Sequence, residues 1–305
     1  MRKAFINTLT ELAENQPNIV LLCGDLGYGI LDAFADRFPS RFFNAGVAEQ
    51  NMVGMATGLA EAGFIPFTYS IVPFASLRPY EFIRNGPIHH RLPVRIVGTG
   101  GGFEYGYNGM THFGLEDIGI MRIQPGITVV VPADHQQARN ALLATWNLET
   151  PIYYRIGKDD QSIVPGLDGR FDLNHVQQIS EGDDFLIITT GSVANEVAAA
   201  AAALAAQNIF CSALVVSTLN PPPLKDLAES LSKFGRAMTV EAHYIAGGLG
   251  SLVSEIAAEL AIKCQVIRCG VTGTPDGFSG SQDYHHRRHG LCSKMLIARI
   301  LELLN

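Results

Sequence analysis

The chain has 305 residues, enough for two domains at the usual ~100–200 residues each, and its 22 Lys+Arg against 29 Asp+Glu leave a net charge of −7. That balance provides no basic field to hold nucleic acid or an anionic membrane, and a chain only 17% charged excludes disorder and coiled coil. So little charge also predicts that part of the outer surface is buried against partners. The longest uncharged run, residues 197–224, is interrupted by Gln207, Asn208, Asn220 and three prolines, so no membrane span is expected.

Residues 2–15 read as a helix, and Ile19-Val20-Leu21-Leu22-Cys23 as a short buried strand ending at Gly24-Asp25. Met1-Arg2-Lys3 meets polar residues and Glu11 too soon for a secretory leader. A small-residue helix is predicted over 50–62, a strand over 65–69, a helix over 80–85 and strands over 94–97 and 128–131. Helix 135–146 and strand 152–155 follow. Residues 157–182 lose periodicity and gather Pro165, Gly166 and Gly169, which suits a connection.

A second series follows: strand 185–190, helix 194–206, strand 211–217, Pro221–Pro223, helix 224–234, strand 237–240, helix 250–261 and strand 266–269. Apolar strands alternating with helices predict two α/β domains with doubly wound, mostly parallel sheets, over 1–165 and 180–305, with a linker at 166–179. Five cysteines form no C-x-x-C pair, and Cys23, Cys211 and Cys269 sit in apolar runs. Inert reduced thiols of a cytoplasmic protein are expected.

Several chemical readings can be set aside. Gly98-Thr99-Gly100-Gly101-Gly102 follows a strand but lacks the dinucleotide spacing, and its glycines suit close backbone approach. The run His285-His286-Arg287-Arg288-His289 mixes arginines with histidines, which disfavours a metal and predicts a solvated basic loop. No metal ligand set is expected in this chain. Asn44-Ala45-Gly46-Val47-Ala48-Glu49-Gln50-Asn51 is more informative, because it delivers a carboxylate to the start of a tightly packing helix. Desolvation there would prime Glu49 for proton chemistry. On these eight residues alone, an acid favoured by the positive end of a helix explains it as well.

The wider context changes that balance. Gly46-Val47-Ala48-Glu49-Gln50, the stretch Phe67–Phe74, Arg78-Pro79-Tyr80-Glu81-Phe82-Ile83-Arg84-Asn85, Asn108-Gly109-Met110-Thr111-His112 through Asp117, and Val131-Pro132-Ala133-Asp134 occur in order. Together they resemble the pyrimidine-binding domain of transketolase. Thr189-Thr190-Gly191-Ser192 and Val240-Glu241-Ala242-His243 with Gly247–Ser251 resemble that family's C-terminal domain. Deoxyxylulose-phosphate synthase and the β subunits of 2-oxoacid dehydrogenases share these two domains.

The resemblance implies thiamine diphosphate as cofactor. It places on Glu49 the carboxyl that touches the pyrimidine nitrogen and lets the aminopyrimidine take the thiazolium proton. Phe74 falls where the family stacks an aromatic ring on the pyrimidine, Ile71 replaces a second aromatic, and Tyr80 and Asp25 are further cofactor-side candidates. His112 matches the histidine that bonds the substrate hydroxyl or carbonyl oxygen. Asn108 stands where the family has Asp, and Gly100 where transketolases carry a second phosphate-contacting histidine. Arg155 matches the arginine that contacts a sugar phosphate.

The family's Mg²⁺ and diphosphate motif, G-D-G followed by Asn, is not found here; Gly24-Asp25-Leu26 and Gly182-Asp183-Asp184 lack the third glycine. The expectation is therefore a β-type subunit of a split enzyme. An α-type partner would hold Mg²⁺ and the diphosphate in an α2β2 assembly that moves a two-carbon ketol unit from a sugar or sugar phosphate to an aldehyde or other acceptor. The alternative is a 2-oxoacid dehydrogenase β-like or hybrid subunit that passes its unit to a lipoyl or carrier arm. A catalytically dead scaffold is disfavoured by the joint presence of Glu49 and His112.

Overall fold

The computed structural model describes residues 1–274 and 277–304. The first sheet is built from β1 (Ile19–Cys23), β2 (Phe42–Asn44), β3 (Ile65–Ile71), β4 (Arg95–Thr99), β5 (Thr128–Val130) and β6 (Ile152–Ile156). The second uses β7 (Gln177–Ser180), β8 (Phe185–Thr189), β9 (Cys211–Val215), β11 (Arg236–Tyr244) and β12 (Gln265–Val271), while the short β10 (Thr218–Asn220) belongs to the first. Their orders are β10-β5-β6-β4-β3-β1-β2 and β12-β11-β8-β9-β7. Pairing is parallel except for β10 on β5 and β7 on β9. The architecture is thus two α/β sheets, mostly parallel, with helices on their faces.

Burial explains the strand sequences. All five residues of β1, of β4, of β6 and of β8 are buried, as expected for strands covered on both sides. On one face of the first sheet, Phe5, Leu9 and Leu142 from flanking helices pack on Leu21, Phe67, Val97 and Tyr154. On the other, Met52, Val53 and Ala56 pack on Val20, Leu22 and Ile96, and this cluster runs on into Ile188 of β8 and into Leu249 and Val253 of the helix Leu249–Glu259. One continuous apolar core therefore joins the two halves.

Some local features differ from the sequence reading. The helix expected over 80–85 is α-helical only over Tyr80–Ile83, and Pro87 without an amide hydrogen lies in a widened turn, Arg84–Ile88. The basic stretch expected as a solvated loop is the helix Gln282–Arg288, capped by the Ser281 hydroxyl, with His285 and His286 buried. Stacking of His285 on Phe103, centroids 4.6 Å apart, gives that ring an apolar seat. β10 crosses from the second half of the chain onto the first sheet, held there by Asn220 Nδ2 donating to the carbonyls of Gln124 and Ile127.

The parallel register brings the carboxyl ends of β1, β3, β4 and β6 to a single edge. Cys23 pairs with Tyr69, Ile71 with Thr99, and Thr99 with Ile156. The chain then leaves through Gly24, Val72, Gly100 and Gly157. Loops at that edge of an open α/β sheet are where ligands bind.

Candidate active site

Glu49 opens the helix Glu49–Glu61 at this edge and is 1% exposed. Its carboxylate accepts from Ser70 Oγ at the end of β3 (3.2 Å) and from Arg78 Nη1 (2.5 Å). A Cβ on Gly24 would lie 3.2 Å from Glu49 Oε1, so the carboxyl sits close against the glycine after β1. The desolvated acid is therefore compensated by a guanidinium and by the helix N-terminus.

The Arg78 guanidinium also lies over the Phe74 ring, 4.5 Å from its centroid, and Phe74 meets the His112 ring edge-on at 5.1 Å. Three separate segments thus converge as Glu49, Arg78, Phe74 and His112. His112 shares a 2.9 Å hydrogen bond with the Thr111 hydroxyl, and burial holds its imidazole below the usual range. A neutral ring at pH 7 can offer one N–H donor to a substrate oxygen while the other nitrogen accepts.

Other candidates are placed as follows. Asp25 is exposed on the rim after β1, where hydrogen bonds from Asn44 Nδ2 (2.9 Å) and the Tyr28 hydroxyl (3.0 Å) hold its carboxyl below the usual range. Ile71 ends β3 and is half-buried. Asn108 is exposed in the turn Gly106–Asn108, four residues before His112. Gly100 has φ +79°, and a Cβ there would collide with the Tyr105 ring. That ring occupies the space a side chain at position 100 would need, with its centroid 6.3 Å from that of His112.

Two further candidates make contacts away from this cluster. Tyr80 does not belong to the cluster: its hydroxyl donates to the Ile120 carbonyl (2.8 Å) and accepts from Gln124, and its ring packs on the core. Arg155 is 6% exposed and already engaged, Nε with Asp117 Oδ2 (2.9 Å) and Nη2 with the carbonyls of Gly114 (2.8 Å) and Ala242 (3.0 Å). Its guanidinium ties the first sheet to the second through Nε and Nη2, and Nη1 lies toward Gly101 and Gly191.

The sequence reading did not single out Arg78, Ser70 or Tyr105. Arg78 lies in the turn after the short helix Val72–Ser76, and its approach to Phe74 and Glu49 depends on that turn. A cleft of about 530 Å³ lies elsewhere, between Glu116–Ile120, Tyr244–Gly247 and Val271–Thr274, and is lined by none of the clustered residues. Chemistry rather than volume locates the site. Among the described residues no group of three or more His, Cys, Asp or Glu is arranged to hold a metal, and no helix is long and apolar enough to cross a membrane.

Comparison with known proteins bears on this geometry. The family model for the transketolase pyrimidine-binding domain matches residues 1–161, and that for the transketolase C-terminal domain matches residues 174–291. The chain is 34% identical to a 6-deoxy-6-sulfo-D-fructose transketolase subunit of a Clostridium species, over 97% of this chain and 92% of that protein. It is 32% identical to an apulose-4-phosphate transketolase subunit of Phocaeicola vulgatus, over 90% and 87% of the two proteins. A solved structure described as a split-gene transketolase in an inactive β4 tetramer superposes with a TM-score of 0.89 at 34% identity, covering 99% of this chain and 97% of that one.

Proposed function

The chain belongs to the transketolase family, and from that premise we propose that it is the β-type subunit of a split, thiamine-diphosphate-dependent transketolase that moves a two-carbon ketol unit between sugars. The observation that carries the reading is the convergence of Glu49, Phe74 and His112 at one sheet edge.

The residues present fit the pyrimidine end of the cofactor. The Arg78 guanidinium lies over Phe74 with one nitrogen on Glu49, so this corner would take a flat N–C–N group such as an aminopyrimidine once Arg78 turns outward. When bound, thiamine diphosphate supplies a carbon nucleophile for a ketose carbonyl. Glu49 would hold the proton on the pyrimidine nitrogen, Phe74 would stack on the ring, and Ser70 fixes the carboxyl. His112 would donate to the substrate oxygen. Mg²⁺ and the diphosphate are assigned to an α-type partner in an α2β2 assembly.

Exposed apolar side chains support such a partner. Tyr28, Val47, Leu77, Tyr107 and Met110 are 42–79% exposed on the same segments that carry Asp25, Glu49, Phe74, Asn108 and His112. Apolar groups gathered around a catalytic rim mark a surface to be covered. The inactive state named for the similar β4 tetramer agrees with a subunit that needs its partner.

Mixing the chain with its α-type partner, Mg²⁺ and thiamine diphosphate, and following transfer from ketose donors to aldose acceptors, tests the reading. Transfer is expected from the mixture and from neither chain alone; transfer by this chain alone, or none by the mixture with any donor, contradicts it. Within the active mixture, His112→Ala is expected to slow the carbon–carbon bond steps about 10²–10³-fold while sparing hydrogen exchange at the cofactor, because its hydrogen bond strengthens as charge develops on the substrate oxygen. Equal losses in both assays would place His112 on the cofactor instead.

A further inference from the structure

The cations around the site can be accounted for one by one. Arg78 is paired with Glu49, Arg155 with Asp117, and Arg2 and the chain's amino group with Asp160. Lys158, two residues beyond the end of β6, forms no ion pair among the described residues. Its ammonium lies 4.5 Å from the centroid of Tyr105, the ring that fills the space above Gly100 and neighbours His112.

The Lys158 backbone is fixed while its side chain is not. The amide donates to Glu104 Oε2 and the carbonyl accepts from Arg2 Nε (3.2 Å). The Glu104 carboxylate is occupied by that amide and by the Ser192 hydroxyl (2.6 Å). The ammonium of this half-buried lysine rests on a π-face at the end of a flexible four-carbon stem, and it loses little when it turns to an anion.

We propose that Lys158, seated on Tyr105, is the residue that reads a terminal oxyanion, phosphate or sulfonate, on the sugar substrate. The proposal rests on the transketolase reading above. It supplies a cation that position 100, where the Tyr105 ring fills the space of a side chain, does not. A substrate carbonyl at His112 would direct the far end of its chain across Tyr105 toward this cation.

The test uses the assembled enzyme with three donors: a ketose phosphate, the corresponding 6-deoxy-6-sulfo ketose and the uncharged ketose. Lys158→Gln is expected to raise KM about ten- to hundredfold for the two anionic donors, with kcat nearly unchanged and the uncharged donor's KM moving less than twofold. Lys158→Arg should restore most of the loss, and the salt dependence of KM for anionic donors should flatten in the Gln variant. A loss confined to one of the two anions would assign the site to that anion and support the proposal. Equal loss on all three donors, or none on either anion, overturns it while leaving the transketolase reading intact. Absence of transfer by the wild-type assembly removes both.

Discussion

Glu49→Gln is expected to lower turnover of the assembled enzyme by about 10²–10⁴-fold while the chain still folds and assembles. The amide fills the same volume at the start of the helix Glu49–Glu61 and still accepts from Ser70, so the packing of Met52, Val53 and Ala56 behind it is undisturbed. The partner left over is Arg78, which is 36% exposed and able to turn its guanidinium to water, so little buried charge is stranded. What the amide cannot do is hold and release a proton on the pyrimidine nitrogen. Hydrogen–deuterium exchange at C2 of the bound cofactor, read by NMR after acid quench, isolates that step. Exchange in the variant as fast as in wild type would show that Glu49 is not the activating acid.

Arg155→Ala is expected to act on stability, and strongly. Its guanidinium bonds Asp117 Oδ2 and two carbonyls, and Asp117 is 1% exposed with one further donor, the Tyr153 hydroxyl at 2.8 Å. Removing one member of a buried pair strands the other, at a cost of about 3–5 kcal/mol. The carbonyls of Gly114 and Ala242 lose a donor at the same time, and these belong to the loop before the helix Asp117–Arg122 and to β11. The variant should therefore unfold at lower urea and lower temperature. Any activity that survives should fall equally for phosphorylated and uncharged donors. Unchanged stability, with a loss confined to phosphorylated donors, would return Arg155 to the substrate side.

The sheet architecture was readable because its strands are apolar runs. Ile19–Cys23 and Phe185–Thr189 are buried at every position, and nothing in those segments competes with the strand reading. Less visible were elements whose structure depends on distant partners. β10 has only three residues and exists because it docks on β5, and the helix Gln282–Arg288 is set by its Ser281 cap and by Phe103 far back in the chain.

The same distinction holds in the site. Glu49 and His112 could be singled out because they stand within long ordered motifs. The roles of Arg78, Tyr105 and Arg155 are decided by contacts between segments, which one-dimensional spacing does not contain. A buried arginine held by a carboxylate and two carbonyls has the same sequence signature as one on an open surface.

The central claim is that this chain supplies the pyrimidine side of a thiamine-diphosphate site whose diphosphate side lies on another subunit. Titration calorimetry of thiamine diphosphate with Mg²⁺ into the isolated chain, and then into its mixture with the α-type partner, measures this directly. No tight, Mg²⁺-dependent binding is expected with the chain alone, and tight binding, one cofactor per αβ pair, is expected with the mixture. Tight, Mg²⁺-dependent binding to this chain by itself would contradict the claim.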